Sequence, residues 1–250
     1  MTEEQLAQEL IDIAENVPKV YESGKEAIRT DLEPINETVE SVLYGTGDRA
    51  TFWDLYQNYG NRKTYQFGFA GGGWTNSTFN PKYSIVLSGG YPYAMFWMSG
   101  ISGDLEEICE EKGITIDFTG ALSMNYCFSQ ANLLKSVGFV DVSCAEKNVM
   151  QTFGYNSGIE TIRVFKVREE QTYSTPFVGC TSLKNITIEG VIGNNFPINQ
   201  SPLTHESIMS IINHLGTYST TKTLSLGSTN LAKLTDAEKA IATERGWTLA

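Results

Sequence analysis

What this sequence does not contain narrows it first. No apolar run reaches the roughly 18 residues that a membrane-spanning helix needs, so no membrane insertion is expected. Basic residues are scarce: 18 Lys and Arg stand against 29 Asp and Glu, a formal net charge of −11. Binding to nucleic acid depends on neutralising phosphates with clustered Lys and Arg, and no such cluster occurs, so nucleic acid is not an expected partner. The same charge favours solubility and repels anionic membrane surfaces. The opening residues Met1-Thr2-Glu3-Glu4-Gln5 are acidic where a secretory signal begins basic, so no export signal is expected.

Metal-binding and catalytic residue types are equally sparse. Cys109, Cys127, Cys144 and Cys180 include no C-x-x-C pair and have no His beside them. A zinc or redox site needs ligands at short spacing, so the four read as buried thiols acting as small hydrophobes, with no metal and no disulfide expected. His205 and His214 share one predicted helix but are nine residues apart, which suits solvated surface groups better than joint ligands. Gly71-Gly72-Gly73 is followed by no Lys-Ser/Thr and no helix start, so it is not a phosphate cradle. There is no nucleophile–base pair, no carboxylate pair in a motif and no cofactor loop. The chain is therefore not expected to be an enzyme. No catalytic, cofactor-binding, metal-ligating or ligand-contacting residue is assigned, and no cofactor is expected.

What is present starts with a rhythm. Leu6, Leu10, Ile13, Val17 and Val20 alternate spacings of four and three, and Ile28, Leu32, Ile35, Val39 and Val42 repeat it after a phase shift. This is a coiled-coil seam, broken near Pro18, Gly24 and Pro34 because proline cannot donate the helical hydrogen bond. A narrow seam has to be covered, and Leu and Ile at its positions favour three or four strands. Residues 1–43 are thus expected to be a helical segment for oligomerisation or attachment, with a homotrimer the expected assembly.

Residues 44–90 are aromatic and glycine-rich: Trp53, Tyr56, Tyr59, Tyr65, Phe67, Phe69, Trp74, Phe79 and Tyr83 fall here. Such rings bury large areas, so the segment reads as a connecting or capping subdomain in preference to a sugar site.

From about residue 91 an internal repeat appears. Phe128, Ala131, Leu134 and Val137 stand at steps of three; Phe153, Asn156, Ile159 and Ile162 repeat them, then Phe177, Cys180, Leu183 and Ile186. A β-rich stretch ends each copy, and a weaker copy lies around Phe96-Trp97-Met98, followed by a helix over 104–112 and a strand over 114–118. A period of 24–25 residues suits one turn of a solenoid whose turns stack Phe on Phe. The expectation is a right-handed solenoid of three to four turns over about 90–200, with Phe128, Phe153 and Phe177 in one internal column. Beyond it come a helix starting at Thr204, a strand at Lys222–Leu226, and a capping box at Thr235-Asp236-Ala237-Glu238 opening a last helix. The expected fold class is α+β: a short leucine-rich-repeat solenoid over 91–250, with an N-terminal coiled-coil-like helical segment and a C-terminal helical cap. Its exposed strand faces are expected to carry Asp141, Ser143, Arg163, Lys166, Thr187 and Glu189.

The run Phe177-Val178-Gly179-Cys180-Thr181-Ser182-Leu183-Lys184-Asn185-Ile186 resembles the BspA-like leucine-rich repeats of bacterial surface proteins. The tail from Pro202-Leu203-Thr204 through Asn230-Leu231-Ala232-Lys233-Leu234-Thr235 to Gly246-Trp247 is similar to the ending of such proteins from gut Gram-positive bacteria and their phages. Val17–Lys25, Phe52-Trp53 and Asn58–Arg62 share the likeness, while residues 26–50 depart from it. The resemblance implies adhesion or virion attachment and brings no catalytic residues. Two functions follow as expectations. One is a phage or prophage tail protein, a fibre or receptor-binding component on the virion that meets a host surface protein or glycan and other tail proteins. The other is a bacterial cell-surface adhesin, located extracellularly.

Overall fold

The computed structural model describes residues 49–50, 69–81, 84–87, 92–145 and 147–250, all within the unit Arg49–Ala250. The coiled-coil seam from Leu6 to Val42, the expected trimer contacts, and Trp53, Tyr56, Tyr59, Tyr65, Phe67 and Tyr83 lie outside the described residues.

The strands are β1 (Arg49–Ala50), β2 (Ser84–Val86), β3 (Gly103–Asp104), β4 (Ile116–Asp117), β5 (Leu134–Asp141), β6 (Asn148–Met150), β7 (Thr161–Lys166), β8 (Thr172–Ser174), β9 (Asn185–Glu189), β10 (Phe196–Pro197), β11 (Lys222–Ser225) and β12 (Trp247–Leu249). The helices are α1 (Leu105–Glu111), α2 (His205–Asn213), α3 (Ser228–Leu231) and α4 (Asp236–Glu244). Among the described residues all strand pairings are parallel, in sheets ordered β1-β2-β4, β3-β5-β7-β9, β6-β8 and β10-β11-β12.

This corrects the expected fold class. The described strands divide among four separate sheets of two to four strands, not the one sheet of a leucine-rich-repeat solenoid. The described helices are single short elements, and the C-terminal end is no helical cap: α2, α3 and α4 alternate with β11 and β12, and the chain finishes on a strand. The physical reason lies in the connections. Between strands the chain runs through turn segments whose residues take left-handed backbone angles: Ala94 and Met98, Tyr126 and Gln130, Gln151 and Tyr155, then Thr175 and Gly179. A non-glycine residue there costs roughly 1–2 kcal/mol, and these kinks keep the strands short and divide them into sheets.

The turn segments satisfy their backbone groups on one another. Phe96 N–H donates to Cys127 O (2.7 Å), Phe128 N–H to Thr152 O (2.8 Å) and Phe153 N–H to Pro176 O (2.9 Å). Strand pairs are offset by a similar interval: 25 residues for Ser136 with Thr161, 24 for Thr161 with Asn185, and 23 for Lys166 with Glu189 after a register shift. Neighbouring segments thus bring equivalent side chains together. The Phe96, Phe128, Phe153 and Phe177 rings are stacked in succession, with centroids 5.3, 5.0 and 6.0 Å apart. The small or polar residue three places on also has a role. Asn156 donates to Phe128 O at 3.1 Å and accepts from Ile159 N–H at 3.0 Å, and the Cys180 thiol donates to Phe153 O. These contacts answer backbone groups that burial would otherwise leave unpaired.

One buried apolar cluster runs from Phe69 to Trp247. Phe69 and Phe79 meet edge to face at 4.6 Å, and Phe69 reaches Phe96 at 5.5 Å, so these aromatics of the 44–90 segment are core residues. At the far side, β9 is the edge strand of its sheet, with no further described strand beside it. Ile186 N–H donates to the Ser207 hydroxyl and Ile188 N–H to the Ser210 hydroxyl, both at 2.9 Å. Helix α2 therefore closes the edge with side chains. It buries Ile208, Ile211 and Ile212 in doing so, and Arg245 donates to its last carbonyls at Ile212 and Asn213, groups that no helix can satisfy internally, and to Leu215 O just beyond it.

Candidate interaction surface

The outward face of β5, β7 and β9 is where charged groups gather. Strand periodicity buries Ile162, Phe165, Ile186 and Ile188 and turns Arg163, Thr187 and Glu189 outward. The Arg163 guanidinium pairs with both the Asp104 and Glu106 carboxylates. Asp104 also caps α1, accepting from Glu106 N–H (2.9 Å) and Glu107 N–H (3.4 Å). Desolvation pushes the Asp104 carboxyl up. Hydrogen bonds from Ser136 and from those two backbone groups, with the Arg163 charge, outweigh it and hold the carboxyl below its ordinary range.

A second charged group lies one turn along the strands, where Lys166 stands 3.7 Å from Glu189 and 3.9 Å from Asp141. Its ammonium sits 5.9 Å from the centre of the Phe139 ring. Beside Arg163, a groove of about 390 Å³ is lined by Thr161, Asn185, Thr187, Thr204 and Glu206 among others. Asn185 donates to the Thr161 hydroxyl across the strands. The surface combines donors, acceptors and both charge signs on neighbouring, hydrogen-bonded strands. Such a surface can hydrogen-bond hydroxyl-rich or peptide ligands.

Of the residues expected on this face, Arg163, Thr187 and Glu189 are exposed, and Lys166 and Ser143 are half-buried. Asp141 requires correction. It is 1% exposed, and its Oδ1 accepts from the Ser143 backbone and hydroxyl at 2.8 and 2.6 Å, so it organises the turn after β5. The residues missed are Asp104, Glu106, Thr161 and Asn185. Asp104 and Glu106 meet Arg163 from 59 and 57 residues away, and no local pattern signals that.

The cysteines and histidines stand apart from this face. Cys109, Cys127 and Cys180 are buried, but Cys144 is exposed, which corrects its reading as a core thiol; it follows the turn that Asp141 and Ser143 organise after β5. Burial pushes the Cys109 and Cys180 thiols up to about 12. The histidines are hydrogen-bonded, not simply solvated: His205 Nε2 lies 2.8 Å from Glu238 Oε1, and His214 Nδ1 lies 2.7 Å from Ser210 O. Among the described residues no group of three or more His, Cys, Asp or Glu is placed to hold a metal ion, and no helix is long and apolar enough to cross a membrane.

No protein-family model, no curated protein and no solved structure matches the chain.

Proposed function

We propose that this chain is a non-enzymatic attachment module of a phage or prophage tail, a fibre or receptor-binding protein that holds its stacked strands against a protein or glycan of a host surface. The observation that carries the reading is the outward face of β5, β7 and β9, where Arg163, Lys166, Asn185, Thr187 and Glu189 stand together on paired strands. A rigid array of mixed polar groups lowers the ordering cost of binding, which suits recognition of a repetitive surface. The sequence likeness to bacterial and phage repeat proteins points the same way. The apolar seam of Leu6, Leu10, Ile13, Val17 and Val20 supplies self-association into a trimer, so that three weak contacts act together through effective concentration.

The test is location. Particles released by prophage induction from the encoding strain should carry the chain at the tail, detected by mass spectrometry of purified particles and by immunogold labelling. Finding the chain only in the cell envelope would replace this reading with a cell-surface adhesin. Finding it only in the cytosol would remove both.

A further inference from the structure

We infer that the cleft bounded by α1, β4 and β5 is a strand-addition site for an extended, basic peptide segment of a partner protein. This goes beyond the virion reading and does not depend on it. The cleft has a volume of about 600 Å³, within the roughly 300–1,000 Å³ typical of ligand sites. Its walls are apolar, with Cys109 from α1, Ile116 from β4, and Val137 and Phe139 from β5.

Two strand edges border it. β3 is only two residues long and reaches β5 no farther than Ser136, while β5 continues to Asp141. From Val137 onward, that edge of β5 has no strand partner among the described residues. β4 pairs with β2 and with no other described strand. The chain leaves β3 into α1 because Asp104 caps the helix, so it turns away from continued pairing with β5, and the cleft opens between α1 and Val137–Phe139. Unpaired strand edges accept extended segments, whose backbone supplies the hydrogen bonds and whose alternate side chains fill pockets.

Charge selects the occupant. Glu106, Glu110 and Asp117 line the cleft. Glu106 shares the Arg163 guanidinium with Asp104, and its carboxylate sits so close over Gly138 that an added Cβ would lie 1.3 Å from its Oε1. Glu110 and Asp117 form no ion pair with any described residue, so the rim keeps uncompensated negative charge beside apolar walls. A strand alternating apolar with Lys or Arg residues matches both features, because successive side chains point to opposite faces. Acidic or uniformly polar segments do not.

The probe is a fluorescent, end-blocked peptide of alternating Lys and Val, titrated against the full-length chain by anisotropy. Two controls go with it: the same peptide N-methylated at alternate residues, and a Glu/Val counterpart. The Lys/Val peptide should bind, with slowed amide exchange over Val137–Phe139, and N-methylation should weaken it about tenfold by removing backbone donors. Combining Glu110→Lys with Asp117→Lys should weaken the Lys/Val peptide about tenfold and bring the Glu/Val peptide into the binding range. Exchange on the unmodified chain keeps the test decisive if the charge-reversed variant does not fold. The inference is overturned if the Lys/Val peptide does not bind, if it slows exchange only elsewhere, or if charge reversal leaves both peptides unchanged.

Discussion

Phe153 lies between Phe128 and Phe177 with no solvent exposure, so truncating it opens a cavity the neighbouring rings cannot fill. Phe153→Ala should cost about 3–5 kcal/mol by chemical denaturation. Tyr155, two residues on, is 53% exposed, and Tyr155→Ala, which removes the ring and leaves another non-glycine residue at the same left-handed position, should change stability by much less, about 0.5 kcal/mol. Gly158 shows a different constraint: an added Cβ would lie 1.8 Å from Asn132 O, so Gly158→Ala must push the two segments apart. That overpacking should cost about 1–3 kcal/mol or more, whereas Gly72→Ala, with nothing within 4 Å, should be nearly silent. Asp104 adds a pH dependence. A carboxyl held below its unfolded value of about 3.9 stabilises the fold above that pH and loses the contribution as pH falls through the lower folded value. Asp104→Asn should flatten this part of the acid-unfolding curve, and an unchanged curve would remove Asp104 from the account.

The elements owe their ends to identifiable side chains. Ser207 and Ser210 close the β9 edge, and replacing both with Ala leaves two strand N–H groups without acceptors, a loss of about 1–3 kcal/mol for each buried group. The measurable sign beyond stability is faster amide exchange at Ile186 and Ile188. Thr235 and Glu238 form a capping box on α4; this was legible in the sequence because its chemistry is local. The Phe, Leu/Ile and Ile/Val positions at steps of three were legible for a related reason, since burial at each is repeated along the chain. The Arg163 pairing with Asp104 and Glu106 was not legible, because it depends on which strand lies beside which. Asp141 was misplaced because strand alternation ignores the inward turn that Ser143 stabilises.

For the whole molecule, the Phe-led repeat suggests a leucine-rich-repeat solenoid between helical ends, whereas the described strands fall into four parallel sheets with left-handed turns between them. Periodicity reports which side chains are buried, but the partition into sheets depends on backbone angles at residues such as Met98, Gln130 and Tyr155 that carry no glycine signal. Assembly is argued from the seam alone: deleting residues 1–43 should convert a trimer to a folded monomer in light scattering, and an unchanged oligomer would place the contacts elsewhere. The most direct test of the attachment reading is saturable binding of the labelled full-length chain to intact host-range cells. It should be lost when Arg163 and Thr187 on the outward face are both replaced by Glu, and retained when exposed Tyr155 and Leu133 on the turn side are replaced by Ala. Binding that survives the first pair of substitutions, or disappears only with the second, would contradict the account.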